Sequence, residues 1–335
     1  MNRGFLSSIV NTKAYMEAEK EWAVELQLHH RYWYDLIVNP HEAGKCFNSR
    51  KLIVDYLKRL KSEVEAVLEK RFVYFICSRE RVRFNLQKKP SYNLFTRVTK
   101  LHVLIGRNQK KKVISYRFFD KQRRRYYKPN IEVSEKYITI KNAKGDAYIQ
   151  SIHDFLDNPN ISMDLESRVE YVGYTKNPQS RPTNGSHTGL SDMLHRLADN
   201  GRDSFIYFNL FKIITKASNH SLMLNFAMAN SMTDEIDVEL EGKILEECFI
   251  FYFDAASQNR NKKNELSEFK KNLHTLSKNR KIEKIHIHYQ FEEQTEYGVL
   301  ASSQVLPSSR HVFTIQMKDH DIEITHENGK VRHLS

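Results

Sequence analysis

The chain of 335 residues carries 53 Lys and Arg against 41 Asp and Glu, a net charge of +12 and a pI near 9.4. That length allows two or three domains, and the positive balance favours a polyanionic partner, either nucleic acid or an anionic membrane surface. No run approaches 18 consecutive apolar residues and the opening MNRGFLSSIVNTKAYMEAEK soon turns charged, so neither a transmembrane helix nor a secretory signal is expected. Cys46, Cys77 and Cys248 are odd in number and far apart, without CxxC or Cys/His ligand spacing. They read as reduced, partly buried thiols, which points to the cytoplasm, and the expected partner is nucleic acid with no membrane.

The first expected element is a helical stretch over about 13 to 37, with Tyr15, Trp22, Leu26, Tyr32 and Trp33 forming a core face. Residues 51 to 70 place Leu52, Ile53, Tyr56, Leu57, Leu60, Val64, Val67 and Leu68 at steps of three and four, which predicts an amphipathic helix capped by Asn48 or Ser49. From 72 to 140 the pattern changes to short β-type runs such as FVYFI, RVTKLHVLI, KKVISYRFF and KYITI. Residues 1 to 135 are therefore expected to form an α+β accessory domain.

Further on, a helix is expected near 188 to 199, stopped by Asp199-Asn-Gly201, and a strand over Phe205 to Ile213. The run 233 to 253 reads as one helix that Thr233 or Asp234 caps. The polar stretch 257 to 264, SQNRNKKN, suggests a boundary between a unit over 136–264 and an extension over 265–335, the latter a short helix followed by strands.

Residues 107 to 128, RNQKKKVISYRFFDKQRRRYYK, hold ten Lys or Arg interleaved with Tyr116, Phe118, Phe119, Tyr126 and Tyr127. Cations neutralise phosphates while exposed rings stack on bases, so Lys110, Lys111, Lys112, Arg117, Arg123, Arg124 and Arg125 are candidate nucleic-acid contacts. A strand pair with one aromatic face buried and one cationic face solvated accounts for the same pattern.

The segment Tyr171-Val-Gly-Tyr-Thr-Lys-Asn-Pro-Gln-Ser-Arg181 follows a β-type run and leads into the helix near 188. It resembles the second motif of the GIY-YIG nuclease family, with Gly173, Thr175, Asn177 and Arg181 in register. Glu246-Glu-Cys-Phe-Ile250 resembles that family's late Glu signature, with Asn259 or Asn261 near its usual Asn. The resemblance covers about 120 residues and implies an α+β fold: a small antiparallel sheet flanked by helices, with an N-terminal α+β accessory domain and a C-terminal β-rich extension. The family's opening Gly-Ile-Tyr is absent as such. Its nearest substitute is Gly145-Asp-Ala-Tyr148-Ile149, with Tyr137 as fallback, at the cost of an insertion from His153 to about Glu166.

What the resemblance implies is a metal-dependent endonuclease that hydrolyses phosphodiester bonds of DNA, of restriction or phage-defence type. Arg181 would clamp the phosphate, and Glu246, or alternatively Glu247, would hold Mg²⁺ or Mn²⁺. Tyr171 and Tyr148 would be the motif tyrosines, with His187 and Lys176 near the phosphate. A homodimer would serve double-strand cutting. The alternatives are a catalytically degenerate nucleic-acid-binding protein and an RNA-directed nuclease. Asp154 and Asp157 are read as capping or turn residues. His286 and His288 alternate onto one strand face without a third ligand nearby and read as a polar sheet face.

Overall fold

The computed structural model describes residues 2–44, 47–120, 123–141, 146–180, 188–222, 224–255, 262–318 and 321–334. After a short helix α1 (Lys13–Glu17) the chain enters a 15-residue strand, β1 (Glu19–Trp33), followed by α2 (Asp35–Val38). The helix expected over 13 to 37 is therefore mostly strand. Its period is two, but a bulge between Leu26 and Leu28 inverts the phase. Trp22 and Val24 before the bulge and Trp33 after it face the same core, so even positions give way to odd ones and the alternation is hidden.

Helix α3 (Ser49–Val67) forms as expected, with Asn48 Oδ1 accepting from the Lys51 backbone N–H at 2.9 Å. Strand β2 (Phe72–Glu80) follows, then β3 (Val82–Phe84), β4 (Ser91–Asn93), β5 (Val98–Ile105) and β6 (Lys110–Tyr116). A two-stranded ribbon, β7 (Phe119–Asp120) with β8 (Arg125–Tyr126), precedes β9 (Asn130–Val133), β10 (Tyr137–Lys141) and β11 (Ala147–Ser151). The predicted insertion holds α4 (Ile152–Leu156), where Ser151 and Asp154 cap one another: Asp154 N–H donates to Ser151 Oγ, and Ser151 Oγ donates to Asp154 Oδ2. Asp157 and Asp154 both face Arg31, at 2.8 and 3.5 Å.

The second half comprises β12 (Ser167–Thr175), α5 (Thr188–Asp199), β13 (Arg202–Asn219), β14 (Leu224–Ala229), α6 (Asn230–Thr233), α7 (Val238–Phe253), α8 (Lys262–Arg280) and β15 (Ile282–Gln290). It ends with β16 (Leu300–Ala301), β17 (Arg310–Lys318), β18 (Asp321–His326) and β19 (Val331–Leu334). Asp237, rather than Thr233 or Asp234, caps α7 by accepting from the Glu239 and Leu240 N–H groups. Asp234 instead sits in a left-handed conformation (φ +50°) that ends α6.

Among the described residues, ten strands form one mixed sheet in the order β16-β12-β2-β13-β1-β15-β17-β18-β19, with β14 on the far end of β13. The β1/β15 and β12/β16 pairs are parallel and the rest antiparallel. This overturns the small antiparallel sheet flanked by helices; what remains of that expectation is the mixed α and β content. Segments 1–135, 136–264 and 265–335 all contribute strands to this one sheet. The local signals for each strand were present, but partner choice across hundreds of residues leaves no mark in a short motif.

The sheet divides the core in two. Helices α3 and α5 cover one face with Ile53, Leu57, Leu60, Met193 and Leu197 against Phe72, Tyr74, Ile76, Ile206 and Phe208. Helices α7 and α8 cover the other with Phe249, Phe253, Phe269 and Leu273 against Phe75, Phe211, Ile285 and Phe313. Strand β13 is buried without interruption from Asp203 to Phe211 because both of its faces are covered.

Candidate nucleic-acid interface

Strands β3 to β6 form a separate sheet with β5 in the middle, β3 and β4 along one side and β6 as the open edge on the other. Leu101, Val103 and Ile105 of β5 and Ile114 of β6 point into the core. Side chains directly opposite in an antiparallel pair share a face, so Lys100 with Ser115 and Leu104 with Lys111 lie on the outward side, and Arg117 continues it. Lys110 and Lys112 lean to the other side, where Lys112 pairs with Asp164 at 2.9 Å.

The charge balance of this sheet is one-sided. From Arg81 to Phe119 the chain carries eleven Lys or Arg and no Asp or Glu. Arg83 is bound bidentately by Asp203 at 2.7 and 2.9 Å, and Arg81 donates to the Ala198 carbonyl. Lys88, Lys89, Arg97, Lys100, Arg107, Lys110, Lys111 and Arg117 have no ion-pair partner among the described residues, and all eight are exposed. Cations held on one rigid sheet repel one another, and a polyanion relieves that repulsion while releasing its own counterions. Lysines along the open edge strand β6 also discourage pairing with a foreign strand. The acid-free run begins 26 residues before the stretch singled out by sequence, and the absence of Asp and Glu was the signal that would have found it.

The aromatic residues of 107–128 divide between core and surface. Tyr116, Phe118 and Tyr127 pack inward, Tyr116 against both Phe118 and Phe155 with centroids at 5.0 and 5.7 Å. Phe119 and Tyr126 stay outside on the β7/β8 ribbon, edge to face at 5.2 Å, beside exposed Arg123, Arg124 and Arg125. Those two rings are available to stack; the other three are structural.

Those residues of the expected nuclease constellation that are described do not come together. Tyr171 packs with the α3/α5 core, its ring 5.9 Å from that of Tyr74. Glu246 and Glu247 lie on α7, which covers the opposite face, so the sheet itself separates Tyr171 from both. Tyr148 stands 60 % exposed on β11, in a three-stranded sheet with β9 and β10 that does not pair with β12. With Arg31, Tyr32, Tyr137 and Asp154 it borders a cavity of about 600 Å³. Arg181, His187, Asn259 and Asn261 lie outside the described residues.

The matched motif positions have structural work. A Cβ on Gly173 would stand 2.5 Å from Cζ of Tyr74, so this glycine makes room for a ring. Thr175 Oγ1 accepts from the Asn177 N–H, and Asn177 Oδ1 accepts from Lys61 at 2.7 Å. Lys176 lies 3.7 Å from Glu65.

Glu247, the alternative to Glu246 as metal carboxyl, is buried and already partnered. Burial pushes Glu247 up to about 8, with Glu268 and Glu265 adding to the rise against Asn272 and Lys243. Both Glu247 oxygens face Asn272 Nδ2, and burial disfavours the charged form that a hard cation would take as ligand. Among the described residues no group of three or more His, Cys, Asp or Glu is placed to hold a metal ion. His286 is engaged by Thr314 and Glu21, and His288 by Arg310.

No family model, curated protein or solved structure matches this chain. Cys77 and Cys248 are buried free thiols whose pKa burial raises well above the ordinary value. Cys46 lies outside the described residues. Among the described residues no helix is long and apolar enough to cross a membrane.

Proposed function

We propose that this chain is a nucleic-acid-binding protein whose phosphate-contacting surface is the outward face of β5 and β6 and the adjoining β7/β8 ribbon. The observation that carries the reading is the run of 39 residues with eleven cations and no acid, folded as one sheet with eight of those cations unpaired among the described residues. Lys100, Lys111 and Arg117 would meet phosphates along one strand direction, and Arg123, Arg124 and Arg125 would extend the track beside Phe119 and Tyr126. The placement of Tyr171 and α7 on opposite sides of the sheet favours binding over metal-dependent DNA cleavage.

The test is fluorescence anisotropy of the purified chain with labelled DNA and RNA oligonucleotides between 50 and 300 mM salt, conditions chosen to expose the counterion effect. Binding whose logarithm falls linearly with the logarithm of salt supports the reading, and replacing Arg123, Arg124 and Arg125 by Ala should weaken it. No binding to either polymer at the lowest salt would remove it. Mg²⁺-dependent loss of supercoiled DNA that survives all cation variants would restore the nuclease reading.

A further inference from the structure

The cationic sheet carries an apolar tip that phosphate contact does not use. Strands β4 and β5 are joined by residues 94–97, where Leu94 is 74 % and Phe95 is 97 % exposed. The tip is ordered by its own turn. Asn93 Oδ1 accepts from the backbone N–H of Phe95 at 2.9 Å and of Thr96 at 3.0 Å, and Arg97 reverses the chain at φ +54°.

A single exposed apolar side chain on a loop is ordinary. Here two large ones are adjacent, and the charged residues next to them in the hairpin, Arg97 and Lys100, are both cations. Arg97 in the turn and Lys100, two residues into β5, are exposed next to the tip, with no ion-pair partner among the described residues. The register sets Thr99 opposite Tyr116, which brings Arg117 to the tip end of the outward face. An apolar tip flanked by cations, on a run of chain without acids, complements a nucleic-acid strand, which offers flat apolar base faces inside a rail of phosphates.

We propose that Leu94 and Phe95 form a wedge that enters the base stack while Lys100 and Arg117 hold the flanking phosphates. The inference rests on the nucleic-acid reading above and adds the class of target to it. Inserting a wedge requires unstacking one step, which costs least where stacking is already interrupted. Preferred targets are therefore gaps, mismatches and junctions between single and double strands.

The experiment compares the full chain with Phe95→Ser and Phe95→Trp on an intact duplex, on a gapped duplex with 2-aminopurine beside the gap, and on vesicles of mixed phosphatidylserine and phosphatidylcholine. The wild type is expected to bind the gapped duplex about tenfold more tightly and to change the 2-aminopurine emission. Phe95→Ser should abolish the preference and the signal while leaving the salt dependence unchanged, and Phe95→Trp should keep the preference and have its indole emission quenched by DNA. A Phe95→Ser chain that retains the preference, or a Phe95→Trp emission indifferent to DNA, overturns the wedge while leaving phosphate binding intact. Emission that responds to vesicles and not to DNA assigns the tip to a lipid surface instead. Absence of nucleic-acid binding by the wild type overturns the wedge together with the reading beneath it.

Discussion

Both carboxyl oxygens of Glu247, a buried residue of α7 that is 3 % exposed, accept from Asn272 Nδ2 on α8, at 3.2 and 3.0 Å. Lys243, one turn earlier, is bound by Glu268 of α8. The two helices thus meet through a polar seam beneath which Phe251 and Phe269 stack at 5.4 Å.

That seam makes stability pH-dependent. Burial pushes the Glu247 carboxyl up to about 8 in the folded protein, whereas the unfolded chain releases that proton near the ordinary value of 4.5. Between those values the folded state binds more protons, so stability is greatest below the lower one and declines as pH rises, by at most ~1.4 kcal/mol per unit, until the folded carboxyl also ionises. Melting curves from pH 5 to pH 9 should show a falling Tm. Glu247→Gln should flatten the curve and raise the Tm at pH 9, and equal pH dependence in both proteins would refute the assignment.

Gly173 is required by the ring of Tyr74, which lies between Tyr171 and Phe208 with centroids at 5.9 and 6.3 Å and is 6 % exposed. With rings on both sides Tyr74 has little room to move, so Gly173→Ala should cost roughly 1–3 kcal/mol by overpacking. Urea unfolding of Gly173→Ala, alone and combined with Tyr74→Leu, measures the coupling. The substitution should be much milder once Tyr74 is shortened.

Lys20 and Glu235 form a buried pair at 2.9 Å, with side chains 3 % and 1 % exposed. Tyr15 donates to the second Glu235 oxygen, and Lys20 lies 4.1 Å from the Tyr15 ring centroid. Removing one partner strands the other charge, so Lys20→Met should destabilise by about 3–5 kcal/mol. Adding Glu235→Leu should recover part of the loss; a single variant as stable as wild type would show that the pair contributes little.

The two sides of β6 should behave differently toward nucleic acid. Lys111→Ala and Arg117→Ala, on the outward face, should each lower the salt slope of binding by about one. Lys112→Ala, already paired with Asp164, should change the slope less. Anisotropy titrations across salt give each slope, and equal losses for all three would show that charge alone, without facing, determines contact.

The legibility of the chain follows the range of the interactions involved. Helix α3 was readable because its periodicity, its Asn48 cap and its stop all lie within about 20 residues. β1 does not show as a strand in the sequence because one bulge inverts a period-two pattern that Trp22, Val24 and Trp33 otherwise obey. The Tyr171 to Arg181 motif was read as chemistry, yet at Gly173 the reason for the residue is a ring from a strand almost 100 positions earlier.

By itself the sequence determined the cationic character of this protein, its strands between 72 and 140 and the amphipathic helix before them, since charge and periodicity are local properties. The tertiary structure alone decided that those strands leave one face of cations outward, that Tyr171 and α7 are separated by a sheet, and that Glu247 is sealed by Asn272. Each of these depends on which distant segments share a face, and burial then sets whether a carboxyl is an anion or a neutral acid. Local residue spacing encodes neither.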